Sequence, residues 1–479
     1  MNIFERLILA VNPKAALNRA YYKQLCRSYY DAAGRTRDNW ARGNTTGELT
    51  DRAARDTVRS RARALERNDD SFKGIILDLE RNVVGTGAVL QAKTKSAGGE
   101  ENDELNARIE REWNRWCRKG FCTVDRRWSF RDVQRLFVRR GYVDGGLLCV
   151  MCQIDGEFRI QLREVDELDK TVFSYGKNRV VSGVEIDSYD AAVAYHFRRY
   201  DVSGSWTGEL QRIPADRVIF FAQMQRVSQV REFSPAASCL IRMDGLSQLT
   251  DAAITKEKVQ ACFGVAIEQE APLSGVPSIG RGVQMQGKPV DPPTEFLEPG
   301  MIKYLRPGEK VAPISSSGVS STADNMIKSV LRQAGAGAGL SYEAATRDMS
   351  QVNYSSARQG MLQDRRTYAD WQTGLIESVL DPIFFAWLEW AVLSGRVKIP
   401  DYWSSPEEYG SHVWIMPGMD WIDPIKEANA NKIALDNNLT TLQQVCAAKG
   451  QDWREVIDQR AREVRYIKNT IGDDEIAKE

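Results

Sequence analysis

Histidine is nearly missing: the 479 residues hold two, His196 and His412. That withholds from metal sites and from general acid–base catalysis the side chain they use most. Charge of one sign is missing too, since Lys+Arg and Asp+Glu both total 65 and the net charge is zero. A protein that grips nucleic acid over its whole surface carries a basic excess, so that class loses ground. No apolar run approaches the ~18–20 residues that span a bilayer. The longest candidate, Pro382 to Leu393, is shorter and contains Glu389. The eight cysteines (Cys26, Cys117, Cys122, Cys149, Cys152, Cys239, Cys262 and Cys446) are scattered and make no disulfide scaffold. The apolar stretch behind Glu5 and Arg6 is too short for a signal-peptide core. The expectation is a chain with free thiols that stays in a reducing cytoplasm.

What is present is an ordinary globular composition, 42% hydrophobic and 27% charged, at a length that suggests roughly two to four domains. Charge is uneven locally. Residues 1–68 hold fourteen basic side chains against seven acidic, 108–140 eleven against four, and 420–479 nine against twelve. Such faces suit either polar interfaces in a large assembly or plain solvated helices.

Helical spacing runs through 48–82, with Leu49, Ala53, Val58, Ala62, Leu65, Ile75, Ile76 and Leu79 recurring. VVGTGAVLQAK (83–93) turns to strand, its Gly85 and Gly87 read as a bulge or tight turn. A helix bearing Trp113 and Trp116 follows, and 145–221 breaks into short β segments divided by Gly/Asp turns, an α+β body. Ser234-Pro235 opens a helix to about Cys262, with Leu240, Met243, Leu246, Leu249 and Ile254 on one face. A stretch dense in proline and glycine fills 271–300, and a second helix is expected over about 322–340. After a polar segment a long helix runs from about Ser356 to Gly395, roughly 60 Å at ~1.5 Å per residue. It should bend at Pro382, and its second half, IFFAWLEWAVL, should be buried on several sides. The last ~55 residues are helical and polar.

No motif carries chemistry. GVQMQGKP (282–289) opens like a phosphate-binding P-loop, but Pro289 stands where a Ser or Thr must ligate Mg²⁺ and start a helix. AGAGAGL (334–340) lacks the last glycine of a dinucleotide fingerprint and reads as close helix packing or a hinge. Cys149 and Cys152, three apart on a strand, face opposite ways and make no zinc site. Glu164, Asp166 and Asp169 could suggest a metal-dependent nuclease, but a turn capping a strand is the favoured reading. No nucleophile elbow exists. No catalytic residue, metal ligand or cofactor is expected.

Six stretches resemble the portal proteins of tailed bacteriophages, lambda-type family, in the family's order: RNDDSFKGIILDLERNVVGTG (67–87), FRDVQRLFVRRGYVDGGLL (130–148), LEPGMIKYLRPGEKV (297–311), GAGLSYEAATRDMSQVNYSSAR (337–358), WLEWAVLSGR (387–396) and WIDPIKEANA (421–430). Two positions depart from the pattern: Gly146, where an acidic residue is usual, and Ala345, where a larger apolar one is. The resemblance implies an α+β portal fold. Its parts would be an N-terminal segment and mixed α/β wing (1–233), stem helices (234–262 and 322–340), a small β or loop-rich clip (263–321), a tunnel loop (341–355), a long wing helix with the segment after it (356–423) and a helical crown (424–479). It implies a ring, usually of twelve copies, at one capsid vertex, through which double-stranded DNA is packaged, retained and ejected. The partners it implies are further copies of the chain, DNA without sequence preference, the large terminase subunit, a head–tail adaptor, and the major capsid and scaffolding proteins, with no membrane. Its setting would be the virion, and the host cytoplasm during assembly.

Within that frame Arg347, Asp348, Ser350 and Gln351 are the DNA-facing candidates. Asn353, Tyr354 and Ser356 would fix the loop to the long helix, and Arg281, Gln284, Gln286 and Lys288 would belong to the docking clip. Zero net charge agrees with a conduit, because each tight phosphate contact would be an anchor. The competing readings are another ring-shaped virion protein, such as an adaptor or baseplate component, and, remotely, a DNA-processing enzyme.

Overall fold

The structure is a computed structural model. It describes residues 45–95, 101–200, 203–262, 266–269, 309–312, 321–350, 353–418 and 424–471. Two compact units result, one built from described residues up to Met243 and from Leu331 onward, the other from Asp244–Val330.

The helical pattern of 48–82 is realised as three helices, α1 (Gly47–Arg52), α2 (Arg55–Asn68) and α3 (Asp70–Leu79). The break at Asn68-Asp69 has a local cause. Asp69 is extended, and its side chain accepts a 2.6 Å hydrogen bond from the Phe72 N–H, capping α3. A π turn, Glu80–Val84, follows across the expected change from helix to strand at 82–83, and Gly85 and Gly87 (φ 48° and 101°) turn the chain. A Cβ on Gly87 would press on Arg131 at 3.1 Å, so the glycines serve a tight turn. Only then does β1 (Val89–Ala92) form.

Next come α4 (Asp103–Trp116), capped by Asn102, and α5 (Phe130–Val143), opened by a Ser129/Asp132 capping box. α4 buries Ile109, Trp113 and Trp116. β2 (Gly146–Ile154) turns through Asp155-Gly156 (φ 54° and 77°, the type I′ signature) into β3 (Glu157–Arg163). Then follows an antiparallel meander of β4 (Ser174–Tyr175), β5 (Asn178–Val181), β6 (Val184–Ile186), β7 (Ala192–Tyr200) and β8 (Trp206–Pro214). β9 (Val218–Ala222) returns to pair with β2, giving a three-stranded sheet ordered β3-β2-β9. Leu148, Val150, Val184, Ile186, Phe197 and Ile213 form a shared core with residues of both sheets.

The departure at Gly146 has a steric explanation. A Cβ there would lie 2.6 Å from the Phe221 carbonyl across the β2–β9 pair, so no side chain fits. Cys149 is buried while Cys152 is partly exposed, on opposite faces of β2. Cys117, Cys122, Cys149, Cys152, Cys239 and Cys446 are free, and burial raises the Cys122 thiol to about 12. The acidic trio is met by cations of the chain itself, Glu164 and Asp166 both pairing with Arg63, at 3.4 and 2.7 Å. Glu164 caps a short turn at Val165–Glu167, Asp166 lies 2.7 Å from Arg63, and Asp169 accepts from Thr171 and Arg198.

The basic excess of the N-terminal region is partly spent inside this unit. Arg59, 2% exposed, meets Asp56, Asp166 and the fully buried Glu232, and Arg63 grips Asp144 through two hydrogen bonds. Arg139 and Arg140 of α5 share Glu66. These charges tie α2 to α5 and to the sheet rather than forming only an outer face.

α6 (Leu240–Cys262) starts after a short Pro235–Ser238 turn. Its Leu240, Met243 and Leu246 are buried, whereas Ile254 is 47% exposed. β10 (Ala266–Gln269) pairs antiparallel with β11 (Glu309–Ala312). α7 (Ser321–Gly337) ends three residues short of its expected boundary, and Gly339 (φ 75°) turns the chain just beyond it. The glycines of AGAGAGL mark close approach: a Cβ on Gly335 would sit 3.2 Å from the Ala345 methyl, and one on Gly339 2.9 Å from Thr367.

α8 (Tyr342–Thr346) lies inside the segment expected to be loop. α9 (Tyr354–Leu375), a π turn (Ile376–Leu380) and α10 (Asp381–Leu393) then form one helical run. The irregularity stands just before Pro382, whose ring and missing N–H disfavour a regular turn there. Burial of α10 is incomplete. Phe384, Trp387 and Trp390 are inside, but Phe385 and Leu393 are 38% and 62% exposed. α11 (Pro406–Tyr409) leads to β12 (His412–Ile415), which pairs with β1, and α12 (Pro424–Asp436), α13 (Leu442–Ala447) and α14 (Trp453–Ile471) complete the described chain. Among the described residues no helix is long and apolar enough to cross a membrane.

Candidate functional site

The segment between α7 and α9 is held at both ends. Ser341 caps α8, its hydroxyl accepting from the Ala344 N–H at 3.2 Å. The same hydroxyl donates to Asp364 of α9 at 2.6 Å, and the Ser341 N–H donates to the other Asp364 oxygen at 2.7 Å. Asp364 is 4% exposed, so this carboxylate is a buried staple between α8 and α9. Thr367 adds a second tie, donating to the Gly339 carbonyl at 2.6 Å. Ala345, the other departure in the sequence, lies in this packed region. It is 6% exposed, its methyl stands 3.2 Å from where a Cβ on Gly335 would lie, and its carbonyl 3.3 Å from where one on Gly74 of α3 would lie, so α8 packs closely against two glycines.

α8 ends abruptly at Arg347, which adopts a left-handed conformation (φ 59°, ψ 19°) while its N–H still reaches the Glu343 carbonyl at 2.7 Å. A non-glycine residue there stores ~1 kcal/mol of strain. The result is an exposed Arg347 side chain directed by a stopped helix. Asp348 behaves differently. One of its oxygens accepts from the Tyr342 hydroxyl at 3.1 Å and the other from the Ser350 N–H at 3.0 Å, so it braces the turn. Ser350 itself is exposed. Asn353 caps α9, accepting from the Ser356 N–H at 2.9 Å, while the Ser356 hydroxyl accepts from the Asn353 N–H at 3.2 Å. Asn353 is therefore the cap where a serine was expected, with Ser356 its reciprocal partner. Tyr354 begins α9. Gln351, Arg281, Gln284, Gln286 and Lys288 lie outside the described residues, as does the P-loop-like stretch.

Behind the loop is a cavity of about 370 Å³ lined by Asp78, Asn82, Glu343, Met349, Met361 and Tyr368, among others. The Tyr368 hydroxyl donates to Asp78 at 2.5 Å. Burial raises the Asp78 carboxyl, an effect that Asp364 reinforces and that the Tyr368 hydrogen bond and the Arg347 charge oppose. Asp364, Thr367 and Tyr368 were invisible to sequence reasoning because their bonds span 23 to 290 residues. Only Ser341, a capping residue ahead of a helical pattern, carried a local signal.

His196 lies 3.0 Å from Glu185 and His412 lies 3.1 Å from Asp381, each within a structural network. Among the described residues no group of three or more His, Cys, Asp or Glu side chains is placed to hold a metal ion.

The profile of the family described as phage portal protein, lambda family, matches residues 33–372. A probable portal protein of Halomonas phage phiHAP-1 is 26% identical over 462 residues, covering 91% of this chain and 85% of its own. Portal protein B of Escherichia phage lambda is 23% identical, covering 76% of this chain and 74% of its own. Among solved structures, a chain in the neck of an empty GTA particle aligns over 81% of this chain and 93% of its own, at 12% identity and a TM-score of 0.42.

Proposed function

This chain belongs to the lambda family of phage portal proteins, structural proteins and not enzymes, and from that premise we propose how its parts serve a portal. It is one subunit of a closed ring of twelve at a capsid vertex, present in the virion and, during assembly, in the host cytoplasm. Double-stranded DNA passes through the bore during packaging and ejection. A closed ring needs two unlike faces per subunit, related by a rotation that closes.

The observation that carries the reading is the family match over 33–372, with relatives aligned along three quarters or more of this chain. The residues up to 233 form the wing, α6 and α7 lie in the stem, 263–321 is the clip, 341–355 is the tunnel loop and 424–479 the crown. The stapled and capped construction of 341–356, with Arg347 exposed at a stopped helix, supports a loop that presents one cation per subunit to phosphate. Ring symmetry repeats that cation around the axis, which guides DNA without reading its sequence. Asp348 serves the turn rather than facing DNA.

The clip, with Arg281, Gln284, Gln286 and Lys288, docks first the large terminase subunit and then a head–tail adaptor, while the wing meets capsid and scaffolding proteins. Its separation as an insert between two helices supports that role. Deleting 275–295 tests it: rings should still assemble while packaging stops. Packaging at the wild-type level, or loss of rings with terminase binding retained, overturns the assignment.

A further inference from the structure

His412, at the start of β12, has an acceptor against each of its two ring nitrogens. Nε2 lies 3.1 Å from Asp381 Oδ1, at the start of α10, and Nδ1 lies 2.6 Å from the Gly410 carbonyl oxygen. The same Asp381 oxygen accepts from the Trp414 indole N–H at 2.7 Å, and a carbonyl oxygen has no proton to give. The ring therefore completes both bonds only as an imidazolium, with a proton on each nitrogen. The neutral ring has one N–H, completes one bond, and turns a lone pair toward the other acceptor. Both acceptors are held in place. Asp381 is tied to Trp414, and a Cβ on Gly410 would run into the Phe385 ring, so that glycine is packed tightly beneath it.

The His412 side chain is 8% exposed. A buried charge persists only where it is paired and hydrogen-bonded, and both conditions are met here. The rings of Phe384, Trp414 and Phe385 stand 4.4, 5.4 and 5.6 Å from the imidazole, close enough to favour a cation further. Asp381, 35% exposed, connects the ring to solvent protons. The other charged residues placed around the strand are few. Lys93 follows Ala92, the register partner of His412, and Glu110 of α4 accepts from the Ala92 N–H at 2.8 Å. Glu407 and Glu408 lie in α11. Among the described residues none of these bonds to the His412 ring. Burial pushes Glu110 up to about 7, helped by Asp452 and Glu455 and opposed by the Ala92 hydrogen bond and Arg454, so it titrates in the range where histidine does.

Beyond His412, β12 runs into 416–418, a segment with three neighbours. A Cβ on Gly85 would press on Pro417 at 3.0 Å, and one on Gly418 would run into the Lys449 backbone just after α13. Pro417 and Gly418 also line the cavity behind the candidate loop.

We propose that His412 is a proton-operated clasp. As imidazolium it bridges Asp381 and Gly410 and holds β12 and the segment after it against α10; on losing a proton it releases one of the two contacts. A group whose charged form is the bonded one contributes stability on the acid side of its titration and loses it as pH rises. The clasp belongs to one subunit and does not depend on the portal reading.

The test uses the full chain labelled with ¹⁵N at histidine, as a hydrated pellet, in magic-angle-spinning NMR from about pH 5 to 9. The chain holds two histidines, and the signals lost in His412→Gln identify this one. Both His412 nitrogens should carry protons at the acid end and one at the alkaline end. Over the same range the amide protection of 411–418, corrected for intrinsic exchange, should fall about tenfold or more, the size of one hydrogen bond to a charged group. The β2–β3 hairpin should hold its protection. Asp381→Asn keeps an oxygen for Trp414 but removes the charge, and should move the His412 transition to lower pH. Glu110→Gln removes the other titration in this range and should leave both changes in place. A ring with one proton throughout, a ring with two throughout, or a titration that leaves 411–418 unchanged overturns the proposal. A His412 transition unmoved in Asp381→Asn, or a loss of protection abolished in Glu110→Gln, overturns it too. Every readout is taken whatever the assembly state, so failure of the clasp and failure of the portal reading are distinguishable.

Discussion

Arg347 and Asp348 are adjacent in the chain yet have separate tasks. The left-handed backbone at Arg347 ends α8 and leaves the guanidinium exposed, whereas the Asp348 carboxylate is occupied by Tyr342 and Ser350. Arg347→Glu should therefore leave assembly normal and reduce the DNA packaged or retained, measured as genome content per head. Full heads from that variant would reject a DNA-facing role. A second residue-scale expectation concerns acid. Glu185, 1% exposed, accepts from Arg212, Asn178 and His196, and the Arg212 hydrogen bond is the leading cause that lowers its pKa to about 2. A carboxyl whose folded pKa lies below its unfolded value, near 4.5, stabilises above the latter and loses that contribution as pH falls toward about 2. Arg212→Ala should shift the acid-unfolding midpoint, followed by circular dichroism, to higher pH; an unchanged midpoint would count against this linkage.

Between elements, the decisive contact is Asp364, which holds the start of α8 against α9. Asp364→Ala leaves a part-buried backbone donor and a hydroxyl without that partner, at a cost of about 1.5–3 kcal/mol. Amide exchange should accelerate over 341–350 well before it does in the β2–β3 hairpin; uniform exchange would show that the staple is not local. Elements with their own periodicity, α4, α6 and the strands of 146–222, are legible in sequence, whereas α5 was not assigned despite its Ser129/Asp132 capping box. Boundaries set by single side chains or distant packing are not legible. Asp69 splits one apparent helix into α2 and α3, α8 hides in a polar stretch, and the turn before Pro382 is a π turn rather than a simple bend. Gly146, a departure from the family pattern, becomes intelligible only beside Phe221. The candidate loop was visible as a segment with a capped end, held there by Asn353 and Ser356, but the ties at its start, Ser341, Asp364 and Thr367, were not.

At the scale of the whole molecule, the chain is neutral and part of its basic charge is consumed in internal networks around Arg59, Arg63 and Arg140. Exposed apolar side chains such as Ile425, Ile433, Leu439 and Tyr466 suit burial against neighbouring copies. Association should thus depend on extended protein contacts and need neither nucleotide nor metal. Electron microscopy of the purified full chain, viewed down the particle axis without added nucleotide or metal, tests this most directly. The account predicts a closed ring with twelvefold symmetry and an open bore wide enough for duplex DNA. A monodisperse monomer, or a closed particle with no axial channel, would contradict it.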